Sequence, residues 1–291
     1  MYYLLYAFFY LVSLLPFWII YRISDFAYIL IYYIIGYRKD VVMGNLAIAF
    51  PDKTHDERKA IAKKFYKNFT DNFIETIKLF SISKKELQKR FSGEFDKVNA
   101  YYASGRNVQF HLAHFFNWEY ANLALSIESV YPELVVYLPL ANKAMDKIFY
   151  TLRTRFGGKL IAATSFLKEF KPYIKQRFGI VFASDQSAGN INIAYWLPFF
   201  GKITPFVTGP EKSARLNNTI TFYAEFSRIK RGHYYVKFHL ITDNARSLEE
   251  GEITKRMISF MEENIRQQPE TYLWTHRRWK HEFDASKFKA L

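Results

Sequence analysis

The chain has 291 residues, half of them hydrophobic, including 29 Phe and 22 Tyr, enough to bury a full core as one large domain or two small ones. Lys and Arg number 41 against 27 Asp and Glu, a net charge of +14, which calls for an anionic partner: nucleic acid, an anionic membrane or an acidic protein. The absence of Cys excludes disulfides, thiolate catalysis and Cys-ligated zinc.

Residues 1–20, MYYLLYAFFYLVSLLPFWII, carry no charged side chain and match the ~20 residues that a bilayer-spanning helix needs. No basic stretch precedes them and no small-residue cleavage site follows, so they read as an anchor, not a signal peptide. Basic residues begin at Arg22, Arg38 and Lys39, which by the positive-inside rule keeps the rest of the chain cytoplasmic. Pro16 and the many tyrosines leave a second reading, a helix lying in the membrane interface. Residues 26–35 are too short to span and read as an interfacial or core helix beside the first. The expected organisation is an anchor over 1–36 and one globular domain over 37–291, with no linker, repeat or low-complexity segment.

Beyond residues 37–51, YRKDVVMGNLAIAFP, Thr54 and Glu57 form a capping-box pattern that opens a long helix. Ile61, Phe65, Phe69, Phe73 and Ile77 recur every four residues as an apolar stripe, with Lys63, Lys64, Lys67 and Lys78 mostly off it. Those lysines read equally as a solvated face or as a contact with a lipid surface. Ser83 and Glu86 repeat the capping pattern and open a short helix towards Phe91. From Gly105 onwards the periodicity changes. Short apolar runs (108–112, 134–138, 179–184) alternate with helical stretches (117–129, 143–156, 165–177), the pattern of an α/β fold with a central mixed sheet flanked by helices. Residues 220–226 and 234–240 read as a late antiparallel hairpin, and 252–267 as a closing helix halted by Pro269.

The stretch that organises the chain is 108–120, VQFHLAHFFNWEY. Val108, Phe110 and Leu112 alternate as in a strand, His114 ends the run, and Asn117 is a helix-capping residue type. Imidazole is the side chain best suited to take a proton near neutral pH. A carboxylate bonded to its other ring nitrogen would fix its tautomer and stabilise the imidazolium, a part the spacing offers to Glu119. His-x4-Glu is common by chance and carries weight only with its neighbours. His111 reads as a core histidine, and Phe115, Phe116 and Trp118 as packing or the mouth of an apolar pocket, with packing the plainer reading. No metal-ligand cluster or G-x-S-x-G elbow lies nearby.

With these residues in view, the chain resembles the lipid A biosynthesis acyltransferases, the late lauroyl/myristoyl acyl-transfer enzymes of Gram-negative bacteria. Residues 37–51 resemble the family's Y-R-x-x-V-x-x-N-L-x-x-A-F-P segment, and His114 to Glu119 its H-x4-[DE] core. Pro139, Asn142, Asp146, Arg153 and Arg155 resemble its P-x-x-N-x-x-x-D…R-x-R block. Ser184-Asp185-Gln186, residues 197–201 and Thr208-Gly209 resemble the segments beyond. Residues 269–280, PETYLWTHRRWK, are similar to its terminal block. An E-G-T-R-type phosphate motif of the broader glycerolipid acyltransferases is missing, and the acid is Glu rather than Asp.

The resemblance implies transfer of an acyl chain from an acyl carrier protein thioester to a hydroxyl of an anionic glycolipid, a lipid A precursor, at the cytoplasmic face of the bacterial inner membrane. His114 would be the general base and Glu119 its partner, with no acyl-enzyme, metal or organic cofactor. Backbone N–H groups at the Asn117 helix start, or Arg153 and Arg155, would meet the oxyanion. Arg153 and Arg155 stand two residues apart, so one regular helix cannot aim both at the same group. Asn117, Asn142, Asp185, Gln186, Arg277 and Arg278 complete the expected substrate contacts. Two alternatives remain: an acyltransferase for another membrane lysolipid or aminolipid, and a membrane-tethered basic binding module without catalysis. No RNP-like or helix-turn-helix signature supports a nucleic-acid partner.

Overall fold

In the computed structural model, which describes Met1 to Leu291, the strand-like runs after Gly105 do assemble into one sheet. The strands are β1 (Phe91–Gly93), β2 (Val108–Leu112), β3 (Glu133–Tyr137), β4 (Lys159–Ala162), β5 (Gly179–Ala183), β6 (Tyr195–Phe199), β7 (Lys202–Phe206), β8 (Ile220–Lys230) and β9 (His233–Thr242). Seven of them run in the order β1-β9-β8-β2-β5-β3-β4. β2 is parallel to both β5 and β8, β3 is parallel to β4 and β5, and only β8 and β9 meet antiparallel. This is the mixed sheet expected of the alternating pattern.

The helices are α1 (Tyr2–Ser13), α2 (Phe17–Ile29, continued by a π-helical stretch Leu30–Ile35), α3 (Lys39–Ala49), α4 (His55–Lys78), α5 (Lys84–Arg90) and α6 (Phe95–Asn99) before β2. After it come α7 (Trp118–Glu128), α8 (Lys143–Arg153), α9 (Phe166–Phe170), α10 (Gly209–Asn217) and α11 (Glu252–Gln267). Thr54 and Glu57 make both bonds of the capping box at α4, and Ser83 caps α5 through the Glu86 N–H. The expected helix over 165–177 shrinks to α9 and a single 3-10 turn, because Pro172 offers no amide and disfavours helix in the residue before it. The separate hairpin β6-β7 was not expected: Pro198 and Pro205 argue against strands. It is closed by Phe200 and Gly201, both with positive φ, the conformation a two-residue turn requires.

The apolar N-terminus departs from expectation. Residues 1–20 do not form one spanning helix. Pro16 cannot bond back to the carbonyl of the preceding turn and instead caps a new helix. α1 is left about 18 Å long at ~1.5 Å per residue, short of the ~30 Å hydrocarbon core. The 19-residue helix long and apolar enough to cross a membrane is Phe17–Ile35, which absorbs the run read as a separate short helix. α1 and α2 both pack on α4 and turn Leu4, Phe8, Leu11, Trp18, Phe26 and Ile34 outward.

The four-residue stripe on α4 is also only half right. Each step of four overshoots a full turn by roughly 40°, so Phe65 and Phe69 are buried while Phe73 is 47 % exposed. The buried face is instead finished by Asn68, Asp71, Asn72, Glu75 and Thr76. Asp71 accepts from Ser24 on α2 and from Arg228 and Arg231 near the β8-β9 turn; Asp25 on α2 also pairs with Arg231. Glu75 accepts from Tyr21 of α2, Tyr234 of β9 and Asn117. Lys78 is no surface lysine: its ammonium donates to the Ser13 and Leu15 carbonyls and caps the end of α1. Asp71→Ala leaves the largely buried Arg228 guanidinium without a carboxylate and Arg231 with Asp25 alone. It should destabilise the fold by about 3–5 kcal/mol, read as a lowered denaturation midpoint of the detergent-solubilised chain; an unchanged midpoint would contradict the part given to this network.

Candidate functional site

The site is set by strand register. In the parallel pair β2-β5, Leu112 lies opposite Ala183, so the residues two places beyond each strand, His114 and Asp185, emerge side by side at the carboxyl ends, where ligands bind in open α/β sheets. His114 Nδ1 lies 2.6 Å from Asp185 Oδ1, and the His114 N–H donates to Asp185 Oδ2. A carboxylate can only accept, so Nδ1 carries the proton and Nε2 is the free base. Burial disfavours the imidazolium, but the Asp185 charge and hydrogen bond outweigh it and raise the His114 pKa above its ordinary value. Burial likewise opposes ionisation of Asp185, yet His114 holds its pKa below the usual range.

The loop between β2 and α7 is held from behind by the C-terminal segment. The Phe116 N–H donates to the Thr271 carbonyl and the Leu273 N–H to the His114 carbonyl. That segment is clasped in turn by Asn45, whose amide donates to the Trp274 and His276 carbonyls, and by Arg38, which donates to Thr275. The first and last motifs of the sequence therefore brace the loop that carries His114. His276, which burial keeps neutral with a pKa of about 4, accepts from the Ser187 N–H and fixes the turn after Asp185.

In front of His114 lies a cavity of about 760 Å³ between the sheet and α7. His114, Trp118, Arg153 and Gln186 stand among its polar and aromatic lining, and Phe110, Leu125, Val135 and Phe238 among its apolar walls. Gln186 Nε2 is 3.5 Å from the free His114 Nε2. Trp118 meets the imidazole edge to face, so it belongs to the cavity wall as well as to the packing.

Several expected roles change. Glu119 makes no hydrogen bond to His114. As the first-turn acid of α7 it points across to α8, where Arg153 grips it through Nε and Nη2 at 2.6–3.2 Å; Trp118 Nε1 also donates to it. Asp185, expected to touch substrate, is buried and is the carboxylate that orients the imidazole. Asn117 is fully buried and caps α7 by accepting from the Glu119 and Tyr120 N–H groups, which removes those amides as oxyanion donors. Asn142 caps α8 in the same way. The two arginines diverge as their spacing demands: Arg153 faces the cavity, while Arg155 donates to the Leu79 carbonyl. Arg277 is exposed but Arg278 is 1 % exposed, its guanidinium over Phe206, so the pair is no common surface patch. His111 is a core residue as expected, kept neutral by burial with its pKa pushed down to about 3.

Two contributors escaped the sequence reading. Glu75, on a helix read only for its apolar stripe, holds the Asn117 amide from behind. Glu133 opens β3 inside the cavity wall, where burial pushes its carboxyl up to about 8 despite a bond from Ser126. A lone acid at the start of an apolar run was the available signal for the second. No cluster of three or more His, Asp or Glu side chains converges as a metal-ligand set.

The site is thus an imidazole backed by a buried carboxylate at the wall of a largely apolar cavity, the kind of concave, mostly apolar pocket with a few convergent polar groups that proteins use for small-molecule ligands. The chain belongs to the bacterial lipid A biosynthesis acyltransferase family, whose sequence model matches residues 1–281. It is 24 % identical to a lipid A biosynthesis acyltransferase of Haemophilus influenzae over 79 % of this chain and 72 % of that protein. It is 23 % identical to a lipid A biosynthesis palmitoleoyltransferase of Escherichia coli over 84 % of this chain and 79 % of the relative.

The His–Asp pair has a measurable signature. The His114 ring, followed by NMR on the detergent-solubilised chain, should titrate above the ordinary histidine value of about 6.5. With Asp185→Asn the charge that favours the imidazolium is gone while burial remains, so the midpoint should fall below that of the parent. An unmoved midpoint would separate the two residues functionally.

Proposed function

We propose that the protein transfers a fatty acyl chain from an acyl carrier protein thioester to a hydroxyl of a lipid A precursor, the 3-hydroxyl of an acyl chain already on the glucosamine disaccharide. The observation that carries this reading is the free Nε2 of His114, paired through Nδ1 with Asp185 and opening on the apolar cavity. A secondary alcohol is a poor nucleophile, so its proton must be removed as it attacks. His114 Nε2 takes that proton while the alcohol oxygen adds to the thioester carbonyl. Arg153, held by Glu119 with its Nη1 uncommitted, and the Gln186 amide are the donors placed to meet the oxyanion. The intermediate then collapses, the C–S bond breaks, and the imidazolium returns its proton to the departing carrier thiolate. The atoms balance without an acyl-enzyme.

The same reading seats the chain on the cytoplasmic face of the inner membrane, where the thioester donor is made. α2 fits the interface better than the bilayer centre, because Ser24 and Asp25 lie in the ion-pair network with Asp71 and Arg231. The basic surplus favours encounter with a phosphorylated glycolipid and an acidic carrier protein.

Single-turnover transfer from labelled acyl carrier protein tests the proposal. His114→Ala should lower the rate by roughly a hundredfold to ten-thousandfold, the usual share of general-base catalysis. Asp185→Asn should also be severe, and the double variant little worse than His114→Ala, since both act on one proton transfer. Glu119→Gln should depress turnover through Arg153 while lowering the His114 midpoint less than Asp185→Asn does, since the Asp185 charge and hydrogen bond are the larger influences. A near-normal rate in folded His114→Ala would end this mechanism.

A further inference from the structure

A second concave site borders the 113–117 loop through Thr271. It is a cleft of about 450 Å³ with an entirely polar lining, built by Lys64, Lys67 and Asn68 of α4, Arg228 of β8, and Gln268, Glu270 and Thr271 after α11. Because β8 runs parallel to β2, Arg228 stands at the same carboxyl end of the sheet as His114. Thr271 on the cleft wall is the residue whose carbonyl receives the Phe116 N–H.

The cleft has a cationic surplus. Lys64 and Lys67 are exposed and pair with no carboxylate, and Arg228 commits Nη2 to Asp71 while its Nε is buried without a partner. With Arg228 already paired to Asp71, the two unpaired lysines face one lining carboxylate, Glu270. Asn68 donates to the Glu270 carbonyl and Gln268 accepts from the Arg228 N–H, so the walls are held in place without using up the lysines. Asp71 links the cleft to α2 through Ser24, and α2 turns Trp18, Ile23, Phe26 and Ile29 outward. Paired lysines beside an outward apolar helix are the arrangement by which proteins hold anionic headgroups at a membrane surface.

We infer that the Lys64–Lys67–Arg228 cleft binds the phosphate headgroup of an anionic membrane lipid, separately from the acyl cavity. The inference rests on the membrane-surface reading above but not on the chemistry assigned to His114.

The test is co-sedimentation of the full chain with phosphatidylcholine vesicles, with and without a minor fraction of phosphatidic acid, in the absence of any acyl donor. Phosphatidic acid should strengthen binding of the parent. Lys64→Ala with Lys67→Ala should reduce that increment roughly twenty-five-fold, about fivefold for each basic side chain at an anionic surface, without changing binding to the neutral vesicles. Glu270→Gln should enlarge the increment. Lys171→Ala with Lys175→Ala, a pair of exposed lysines on the far edge by α9, should leave most of it. Equal losses from the two lysine pairs, or a full increment without Lys64 and Lys67, would overturn the site. Inorganic phosphate competing as well as the lipid would overturn the lipid as its source. Weak binding of every form to neutral vesicles would instead count against the membrane-surface reading, and acyl-transfer kinetics would report on His114 independently.

Discussion

The pairing of β2 with β5 is the constraint on which the site depends. Parallel neighbours in register deliver their carboxyl-terminal loops to the same place, and here those loops begin with His114 and end at Asp185, 71 positions apart in the chain. The resulting pair is short, buried on the carboxylate side and open on the Nε2 side. A one-residue slip would reverse which face each strand buries and would part the two side chains. The apolar alternation of Val108, Phe110 and Leu112 against the sheet neighbours guards against that slip, so the core and the chemistry share one determinant.

Around this pair, charged side chains are stationed in relays. Asp185 orients His114; Glu119 orients Arg153; Glu75 holds Asn117, which holds the first turn of α7 and with it Glu119. Each of these three carboxylates has its donors, as low-dielectric surroundings require. The same logic fastens α2 to the domain through Asp71 and Arg231. The N-terminal helix α2 is thus joined by hydrogen bonds, through Tyr21 and Glu75, to the loop that carries His114. The motifs at the two ends of the chain meet in support of that loop, with Asn45 clasping the Trp274 and His276 carbonyls.

Division of labour between the cavity and the surface follows from chemistry. The cavity is lined mainly by apolar side chains, which favour an apolar occupant leaving water, and polar groups such as Arg153 and Gln186 stand with His114 in its lining. Exposed cations such as Lys64 and Lys67 on α4 lie outside it, where water and salt can screen them. Arg278 is the exception: a cation beneath Asp185 and against Phe206, held where burial lowers its pKa to about 10.

Local pattern alone determined much of this protein. Alternation marked β2, turn and capping residues marked the starts of α4, α5 and α7, and the His114 loop stood out because a strand that ends on histidine before a capping Asn is a local event. The order of the motifs, read together, pointed to the family. Only the tertiary structure decided which carboxylate serves the histidine. Glu119 is near in sequence, but α7 turns it towards Arg153, while Asp185 arrives from a strand that happens to be the neighbour. Sequence distance carries no information about sheet order, and a helix fixes where a side chain points but not what stands opposite it. For the same reason the polar face of α4 was invisible until α2, Arg228 and Arg231 closed over it: a buried acid and an exposed one are the same letter until their partners are in place.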